Sequence, residues 1–176
     1  IPNLDVIRPA DANETAACWL EILKRNKPAG ILLSRQALPV LPANASGVAK
    51  GAYAVKAVTI PKVSIIATGS EVSVALKAAE HLENEGIATQ VVSAPCLEWF
   101  EEQTEAYRED VLPSSVTARV SVEAGLALGW SKYVGGHGES VSIEHFGASA
   151  DYKTLFREFG MTVEAVVAAA KKTLNR

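Results

Sequence analysis

The sequence is poor in the residue types that most directly reveal a function. Its 176 residues include 2 cysteines, 3 histidines and 1 methionine. The two cysteines, Cys18 and Cys96, are too few for a disulfide framework or a cysteine-ligated zinc site. We therefore expect both to be small, buried, apolar residues of a protein from a reducing compartment, which we take to be the cytoplasm.

Other absences exclude whole classes of partner. No apolar run approaches the roughly 20 residues of a membrane-spanning helix, so no membrane partner is expected. The 17 basic and 20 acidic residues give a net charge of -3, which provides no basic field for nucleic acid. Glycine-rich phosphate fingerprints, HExxH, GxSxG and CxxC motifs are also absent. We therefore expect neither catalytic residues nor a metal site within this chain.

The clearest structural pattern lies in residues 63–93. Val63–Ala67 is almost wholly apolar, as in a strand buried on both faces of a parallel sheet. Thr68 and Glu71 have the spacing of a capping box ahead of an amphipathic helix, with Glu71 off its apolar stripe. Gly86 is expected to end that helix in a left-handed conformation, and the next strand follows.

The turn Thr68-Gly69-Ser70 has a second interpretation. Free amides at a helix start attract anions, so the turn could hold a phosphate. One glycine is not a phosphate-binding fingerprint, however, and the capping preferences favour a simple capped turn.

A shorter strand–helix–strand unit precedes this pattern. Residues 4–7 and 30–34 are predicted strands, and Asp11 with Glu14 has capping-box spacing ahead of the helix between them. Two strands and one helix cannot bury both faces of a sheet. Because the chain also begins at Ile1 without a methionine, we expect the rest of this sheet in a longer upstream polypeptide.

The remainder of the chain alternates between strands and helices. Residues 37–50 lack periodicity and are predicted to be an interdomain linker. Further strands are predicted at residues 51–58, 63–67, 87–93, 116–122 and 141–145. Further helices are predicted at residues 98–111, 125–133, 151–159 and 162–175. This alternation predicts a three-layer α/β/α domain with a mostly parallel sheet of about five strands.

Few side chains suggest chemistry. The three histidines, His81, His137 and His145, lie far apart in the sequence, and we favour surface or structural roles for them over catalysis. Asp11 could bind a substrate hydroxyl, but its spacing to Glu14 favours a helix cap.

Arg35 is the one candidate binding residue. It follows the predicted strand at residues 30–34 on its carboxyl side, where ligands of open α/β sheets bind. A guanidinium there can hold a phosphate through two parallel hydrogen bonds. An arginine that enters a linker is otherwise solvated or ion-paired, and the residues alone leave both interpretations open.

An ordered set of short motifs resembles the last quarter of a transketolase polypeptide. The motifs are Pro2-Asn3, Arg8-Pro9-Ala10-Asp11 with Glu14, Leu33-Ser34-Arg35-Gln36, Lys50-Gly51-Ala52-Tyr53, Ala67-Thr68-Gly69-Ser70-Glu71-Val72, Tyr107-Arg108 with Val111-Leu112-Pro113, Ser121-Val122-Glu123 and Phe146-Gly147-Ala148-Ser149. The resemblance covers the whole chain. It implies that residues 1–36 end a pyrimidine-binding domain, that 37–50 are a linker and that 51–176 form the transketolase C-terminal domain.

The resemblance also implies a function for the parent enzyme. Transketolases are homodimers of the pentose phosphate pathway that move a two-carbon ketol unit from a ketose phosphate to an aldose phosphate. They use thiamine diphosphate and a divalent metal, magnesium or calcium, which residues upstream of this chain would bind. In the family, the arginine of the Leu-Ser-Arg-Gln motif contacts the substrate phosphate, so Arg35 is the expected substrate-binding residue. The chain alone is expected to be inactive.

Two alternatives belong to other classes. One is an autonomous regulatory or assembly module with the same domain type. The other is the carboxyl-terminal part of a deoxyxylulose phosphate synthase or a 2-oxo acid dehydrogenase. The Arg8-Pro9-Ala10-Asp11 and Leu33-Ser34-Arg35-Gln36 motifs favour transketolase over both enzymes, and the preferred ketose and aldose stay open.

Overall fold

The chain forms two sheets that come from separate parts of the sequence. The computed structural model describes residues 1–41 and 45–175. The first sheet contains two strands and the second contains five. Residues 42–44 of the predicted linker, which include Pro42 and Asn44, lie outside the described residues.

The first sheet is the strand–helix–strand unit predicted near the start of the chain. Strands β1 (Asp5–Ile7) and β2 (Ala29–Ile31) pair in parallel, and helix α1 (Ala12–Arg25) connects them. The predicted cap of α1 is confirmed, because Asp11 Oδ1 accepts a hydrogen bond from the Glu14 amide at 2.7 Å. A local signal of spacing and residue type therefore located this helix start correctly.

Strand β2 is shorter and less buried than predicted. A buried strand was expected at residues 30–34, but β2 ends at Ile31 and is half-buried. Leu32 and Leu33, which follow it, are 52% and 54% exposed. Among the described residues β2 pairs only with β1, and a sheet of two strands has too few neighbours to bury both faces. The prediction of a buried strand is therefore wrong here.

The second sheet has the predicted, mostly parallel architecture. Its strands in chain order are β3 (Tyr53–Lys56), β4 (Val63–Ala67), β5 (Thr89–Ser93), β6 (Arg119–Val122) and β7 (Glu139–Val141). Their spatial order is β3-β5-β4-β6-β7, and only the edge pair β3–β5 is antiparallel. Every residue of the central strand β4 is buried, as its apolar run predicted.

Helices cover both faces of this sheet. They are α2 (Glu71–Asn84), α3 (Leu97–Glu101), α4 (Glu105–Val111), α5 (Ser131–Val134), α6 (Tyr152–Glu158) and α7 (Val163–Leu174), and short 3-10 helices span Ala45–Lys50 and Ala127–Trp130. Helices α2 and α7 pack with Ile65 and Val120 on one face. Helices α3, α4 and α5 pack with Ile66 and Val92 on the other face. The predicted three-layer α/β/α fold is confirmed.

The single helix predicted over residues 98–111 is wrong. The chain forms α3 and α4 there, separated by a break. Thr104 begins the second helix, because its hydroxyl accepts a hydrogen bond from the Tyr107 amide at 3.3 Å. A threonine cap inside an amphipathic stretch therefore divided one expected helix into two.

The last strand lies earlier than predicted. The alternating pattern predicted residues 141–145, but β7 ends at Val141, where its partner β6 ends at Val122. Beyond that point the Ile143 amide donates to the Gly125 carbonyl at 2.9 Å, outside the strand ladder. Ile143 still packs against the core. The alternation therefore reports burial of one side of this segment and not strand pairing.

A buried carboxylate joins the two sheets. Glu14 on α1 is 1% exposed, and its Oε1 accepts hydrogen bonds from the Tyr53 hydroxyl at 2.8 Å and the Ser93 hydroxyl at 2.6 Å. Its Oε2 accepts one from the Ala10 amide at 2.7 Å. Burial raises the pKa of Glu14, and these three donors oppose the rise. A residue predicted only as half of a capping box therefore also connects α1 to β3 and β5.

Apolar residues complete the junction between the sheets. Ile7, Cys18, Cys96 and Trp99 belong to one buried cluster there. The Trp99 indole nitrogen donates to Asp5 Oδ2 at 2.6 Å. Both cysteines are free and buried, as predicted, and burial raises the pKa of the Cys18 thiol to about 12. The first sheet therefore docks on the second through an interface that is both apolar and hydrogen-bonded.

Candidate functional site

Arg35 borders a wide cavity between the two sheets. The cavity has a volume of about 810 Å³, and Arg8, Arg35, Ser70, Glu71 and Asp151 are among the residues that line it. Arg35 is exposed, and within residues 1–41 and 45–175 its guanidinium has no hydrogen bond or ion pair. A guanidinium without such a partner is available to bind a carboxylate or phosphate through two hydrogen bonds.

The position of Arg35 differs slightly from the predicted one. It lies beyond Ile31, the last residue of β2, and not directly at a strand end. The Leu32 amide donates to the Ile7 carbonyl at 2.8 Å, so the chain follows β1 for one further residue before it leaves the sheet. The guanidinium nevertheless lies on the carboxyl side of the parallel pair, where ligands of such sheets bind.

Gly69 and Ser70 of the turn Thr68-Gly69-Ser70 line another part of this cavity. The predicted Thr68 cap is wrong, because the Thr68 hydroxyl donates to the Arg8 carbonyl at 3.3 Å and no side chain caps α2 at Ser70. The Gly69 amide donates to the same Arg8 carbonyl at 3.0 Å. One of the amides that an anion cradle would use is therefore already occupied.

An ion-pair network that the sequence did not predict lies beside the turn. Arg8 Nη1 donates to Glu123 Oε1 at 2.5 Å, and Arg8 Nη2 donates to Glu71 Oε2 at 3.3 Å. The Trp130 indole donates to Glu123 at 2.6 Å, and the Ser70 hydroxyl donates to Glu71 at 2.9 Å. Glu71, expected off the buried stripe of α2, is 1% exposed. Burial raises the pKa of Glu71, and the charge of Arg8 opposes that rise.

The sequence contained one signal for this network, which is the position of its charged residues relative to the strands. Arg8 directly follows β1, and Glu123 directly follows β6. Glu71 begins the helix after β4. Residues at the carboxyl ends of parallel strands meet at one edge of a sheet. The sequence places each residue at a strand end, but the pairing also requires the strand order and the docking of the first sheet.

The other sequence candidates lie away from the Arg35 cavity. Asp11 caps α1, and its Oδ2 accepts a hydrogen bond from the Leu41 amide at 2.8 Å. The three histidines, His81, His137 and His145, are all exposed. None of these four side chains is among the described residues that line the cavity.

The described residues contain neither a metal-binding cluster nor a membrane-spanning helix. Across residues 1–41 and 45–175, no group of three or more His, Cys, Asp and Glu residues could hold a metal ion. In those ranges, no helix combines the length and the apolar character needed to cross a bilayer.

Matches to known proteins establish the class to which this fold belongs. Residues 51–162 match the family model described as the transketolase-like TK C-terminal domain. Residues 1–40 match the model described as the transketolase pyrimidine binding domain. The chain belongs to the transketolase family. The resemblance inferred from the ordered motifs is therefore confirmed.

Individual relatives agree with this family. The transketolase of Mycobacterium leprae (strain TN) is 54% identical over 184 residues, covering 99% of this chain and 26% of that protein. The structure of transketolase from Leishmania mexicana has a TM-score of 0.92 at 42% identity, over 99% of this chain and 26% of that one. A structure named split gene transketolase, inactive beta4 tetramer, has a TM-score of 0.81 at 27% identity, over 99% of this chain and 59% of that one. The chain thus spans about a quarter of the length of the first two relatives.

Proposed function

We propose that this chain is the carboxyl-terminal part of an enzyme that transfers a two-carbon ketol unit from a ketose phosphate to an aldose phosphate. Membership of the transketolase family supports this reaction. The observation that carries the proposal is the guanidinium of Arg35, which borders an open cavity of about 810 Å³. Within the described residues it has no ionic partner, and a substrate phosphate is an anion that it fits.

The proposal assigns the cofactor to residues outside this chain. An enzyme of this kind uses thiamine diphosphate and a divalent metal, magnesium or calcium. When bound, thiamine diphosphate supplies the nucleophilic carbon that carries the two-carbon unit. From the chain's membership of the transketolase family, we assign metal and diphosphate binding to preceding domains. The role left to this chain is to bind the substrate phosphate and to support the fold.

We also propose a division into domains and an assembly. Residues 1–36 would end the pyrimidine-binding domain, and residues 51–176 would form the C-terminal domain. Residues 37–50 would be the linker between these two domains. The two family matches support this division. The parent enzyme would be a cytoplasmic homodimer of the pentose phosphate pathway. The chain would be inactive alone, and a relative named as an inactive tetramer supports that expectation.

Replacing Arg35 by alanine in the longer enzyme tests the proposed function. We expect the use of phosphorylated donors to fall roughly ten- to a hundredfold, because a charge-assisted hydrogen bond contributes about 1.5–3 kcal/mol. The loss should appear mainly in KM if the contact is equal in the ground and transition states. A donor without phosphate, such as hydroxypyruvate, should be used as before. Steady-state kinetics with both kinds of donor measure the difference.

A matched arginine variant provides the control. Arg157 is exposed on α6, pairs with Glu158 at 2.8 Å and is not among the described residues lining the cavity. Arg157→Ala should change the kinetics of neither donor. If Arg35→Ala impaired both donors equally, Arg35 would have a structural role, and its assignment to phosphate would be wrong.

The proposed linker can be located by limited proteolysis of the 176-residue chain. Residues 37–40 are outside helices and strands, and Val40 is 63% exposed, whereas Leu41 and Val48 are buried. We therefore expect the first cut within residues 37–40, since proteases need exposed, extensible backbone. Mass spectrometry of the early fragments would identify the site. Residues 63–93 serve as the internal control, and a first cut there would contradict the proposed boundary.

A further inference from the structure

A second cavity lies at the carboxyl edge of the five-stranded sheet, next to Arg8. It has a volume of about 280 Å³, and its lining includes apolar Leu97 and Trp130 together with the carboxylates of Glu98 and Glu123. The crossover from β4 leads to β5 on one side of β4, and the following crossover leads to β6 on the other side. Open α/β sheets bind ligands where the strand order changes direction in this way.

Arg8 occupies one side of this crevice, and it comes from the first sheet. Its main-chain amide donates to the Pro95 carbonyl at 2.8 Å, and its carbonyl accepts from the Gly69 amide at 3.0 Å. Its side chain donates to Glu71 and Glu123. The crevice of the second sheet therefore binds the side chain of an arginine that comes from the first sheet.

The chemistry of the crevice suits a guanidinium better than other cations. The carboxylates of Glu71 and Glu123 are contacted by two different nitrogens of one planar group. A guanidinium can bridge them with its fixed fork of donors, whereas an ammonium is a compact point charge. Hydrogen bonds from Ser70 and Trp130 hold the two carboxylates in place independently of the cation. The carboxylate oxygens that accept hydrogen bonds from Arg8 are therefore held in a fixed orientation.

The charge balance also requires a cation at this position. Glu71 is 1% exposed, so its ionised form is strongly disfavoured without a partner. Glu98, which lines the crevice together with Glu123, adds a further carboxylate. Arg8 is the cation that the structure shows in contact with Glu71 and Glu123. Removing that side chain would enlarge a cavity that already has apolar walls and would leave its acceptors without their donor.

We propose that the position of the Arg8 side chain, between Glu71 and the crevice residues Glu98, Glu123, Leu97 and Trp130, is a binding site for guanidinium cations. Its resident ligand is the Arg8 side chain. When that side chain is shortened, the crevice accepts a free alkylguanidinium in its place. The site holds the first sheet against the second.

Chemical rescue of Arg8→Ala in the 176-residue chain tests this site. We expect the variant to unfold roughly 5–10 °C below the unmodified chain, because a partly buried ion-pair network loses its cation. Ethylguanidinium chloride at about 20 mM should restore roughly 3–5 °C of this loss, since a ligand that binds only the folded state stabilises it. The unmodified chain should gain nothing, because Arg8 already fills the site. Sodium chloride and ethylammonium chloride at the same concentration should rescue neither protein.

Two further variants define the specificity of the rescue. Arg8→Ala combined with Glu123→Gln should lose the rescue, because one of the two carboxylates is gone. Arg25→Ala is the matched arginine control, since Arg25 pairs with Glu21 and Glu102 outside the crevice. Ethylguanidinium should not stabilise it. Equal stabilisation of all variants, or equal rescue by the sodium and ethylammonium salts, would overturn the proposal.

A milder variant keeps the test decisive if Arg8→Ala does not fold. Arg8→Lys retains the charge but loses the fork that spans Glu71 and Glu123. A double-mutant cycle of Arg8→Lys with Glu123→Gln should then be clearly non-additive in unfolding midpoint, because both changes disrupt the same contact. Additive effects would show that Glu123 does not interact specifically with the guanidinium group, and the proposal would fail.

Discussion

Replacement of Glu14 by alanine should lower the free energy of unfolding by roughly 3–5 kcal/mol. The substitution leaves the Tyr53 hydroxyl, the Ser93 hydroxyl and the Ala10 amide without their acceptor at a buried position. Each orphaned donor costs about 1–3 kcal/mol. The total is smaller than their sum because the cost of burying the carboxylate disappears as well. Urea unfolding followed by circular dichroism would measure the loss.

Two companion variants separate this effect from the general consequences of removing a glutamate. Glu80 is exposed on α2, and Glu80→Ala should change stability by less than about 0.5 kcal/mol. Glu14→Gln should be intermediate, because its amide retains one acceptor oxygen but turns an NH2 group towards a donor. A loss of less than about 1 kcal/mol in Glu14→Ala would mean that the two sheets stay joined without this carboxylate.

Substitution of Gly51 by alanine should cost roughly 2–5 kcal/mol. Gly51 has a φ of +82°, and a Cβ atom there would lie 2.3 Å from the Cys96 carbonyl oxygen and 2.3 Å from the Phe100 amide nitrogen. The left-handed conformation alone costs about 1–2 kcal/mol, and overpacking adds about 1–3 kcal/mol. Both neighbours are backbone atoms of the β5–α3 connection and helix α3, so neither can rotate away. Thermal and urea unfolding would both report the loss.

Gly86 provides a matched control for this glycine. Its φ is +78°, but a Cβ atom there would meet nothing within 4 Å. Gly86→Ala should therefore show the conformational cost alone, about 1–2 kcal/mol. The difference between the two losses in unfolding free energy measures the steric cost of the close approach of Gly51 to α3. Equal losses would show that this approach is not tight in solution.

Local signals predicted the parts of the fold that local physics determines. The apolar run of β4 implied burial on both faces, and a central strand between two parallel neighbours is buried in that way. The Asp11 cap was predicted because the side chain and the amide it binds are close in sequence. Gly86 was predicted to end α2 because few other residues adopt its backbone conformation readily.

The wrong predictions at Thr68 and Glu71 depended on contacts between distant residues. Thr68 and Glu71 have capping-box spacing, but both side chains bind Arg8, which lies across the junction between the sheets. Glu71 is buried for the same reason. The helix pattern reports only the neighbours of Glu71 along α2. It contains no information about a cation supplied by another sheet.

The candidate site was predictable only in part. The sequence identified Arg35 because it follows a predicted strand in a motif that resembles one in transketolases. The structure adds an open cavity and the absence of an ionic partner among the described residues. It also brings Arg8 to that cavity's wall, which required the docking of the two sheets. Single-residue patterns cannot show which strand ends meet at such a junction.

The buried hydrogen bonds of Glu14 and Asp5 have a consequence for synthesis on the ribosome. Glu14 is separated from Ser93 by 79 positions, and Asp5 is separated from Trp99 by 94. At about 5–20 residues per second, roughly 4–19 s pass before these partners are made. During that interval Glu14 on α1 lacks its donor from Ser93, and Asp5 on β1 lacks its donor from Trp99. The strand–helix–strand segment therefore completes its buried hydrogen bonds only after β5 and α3 have been translated.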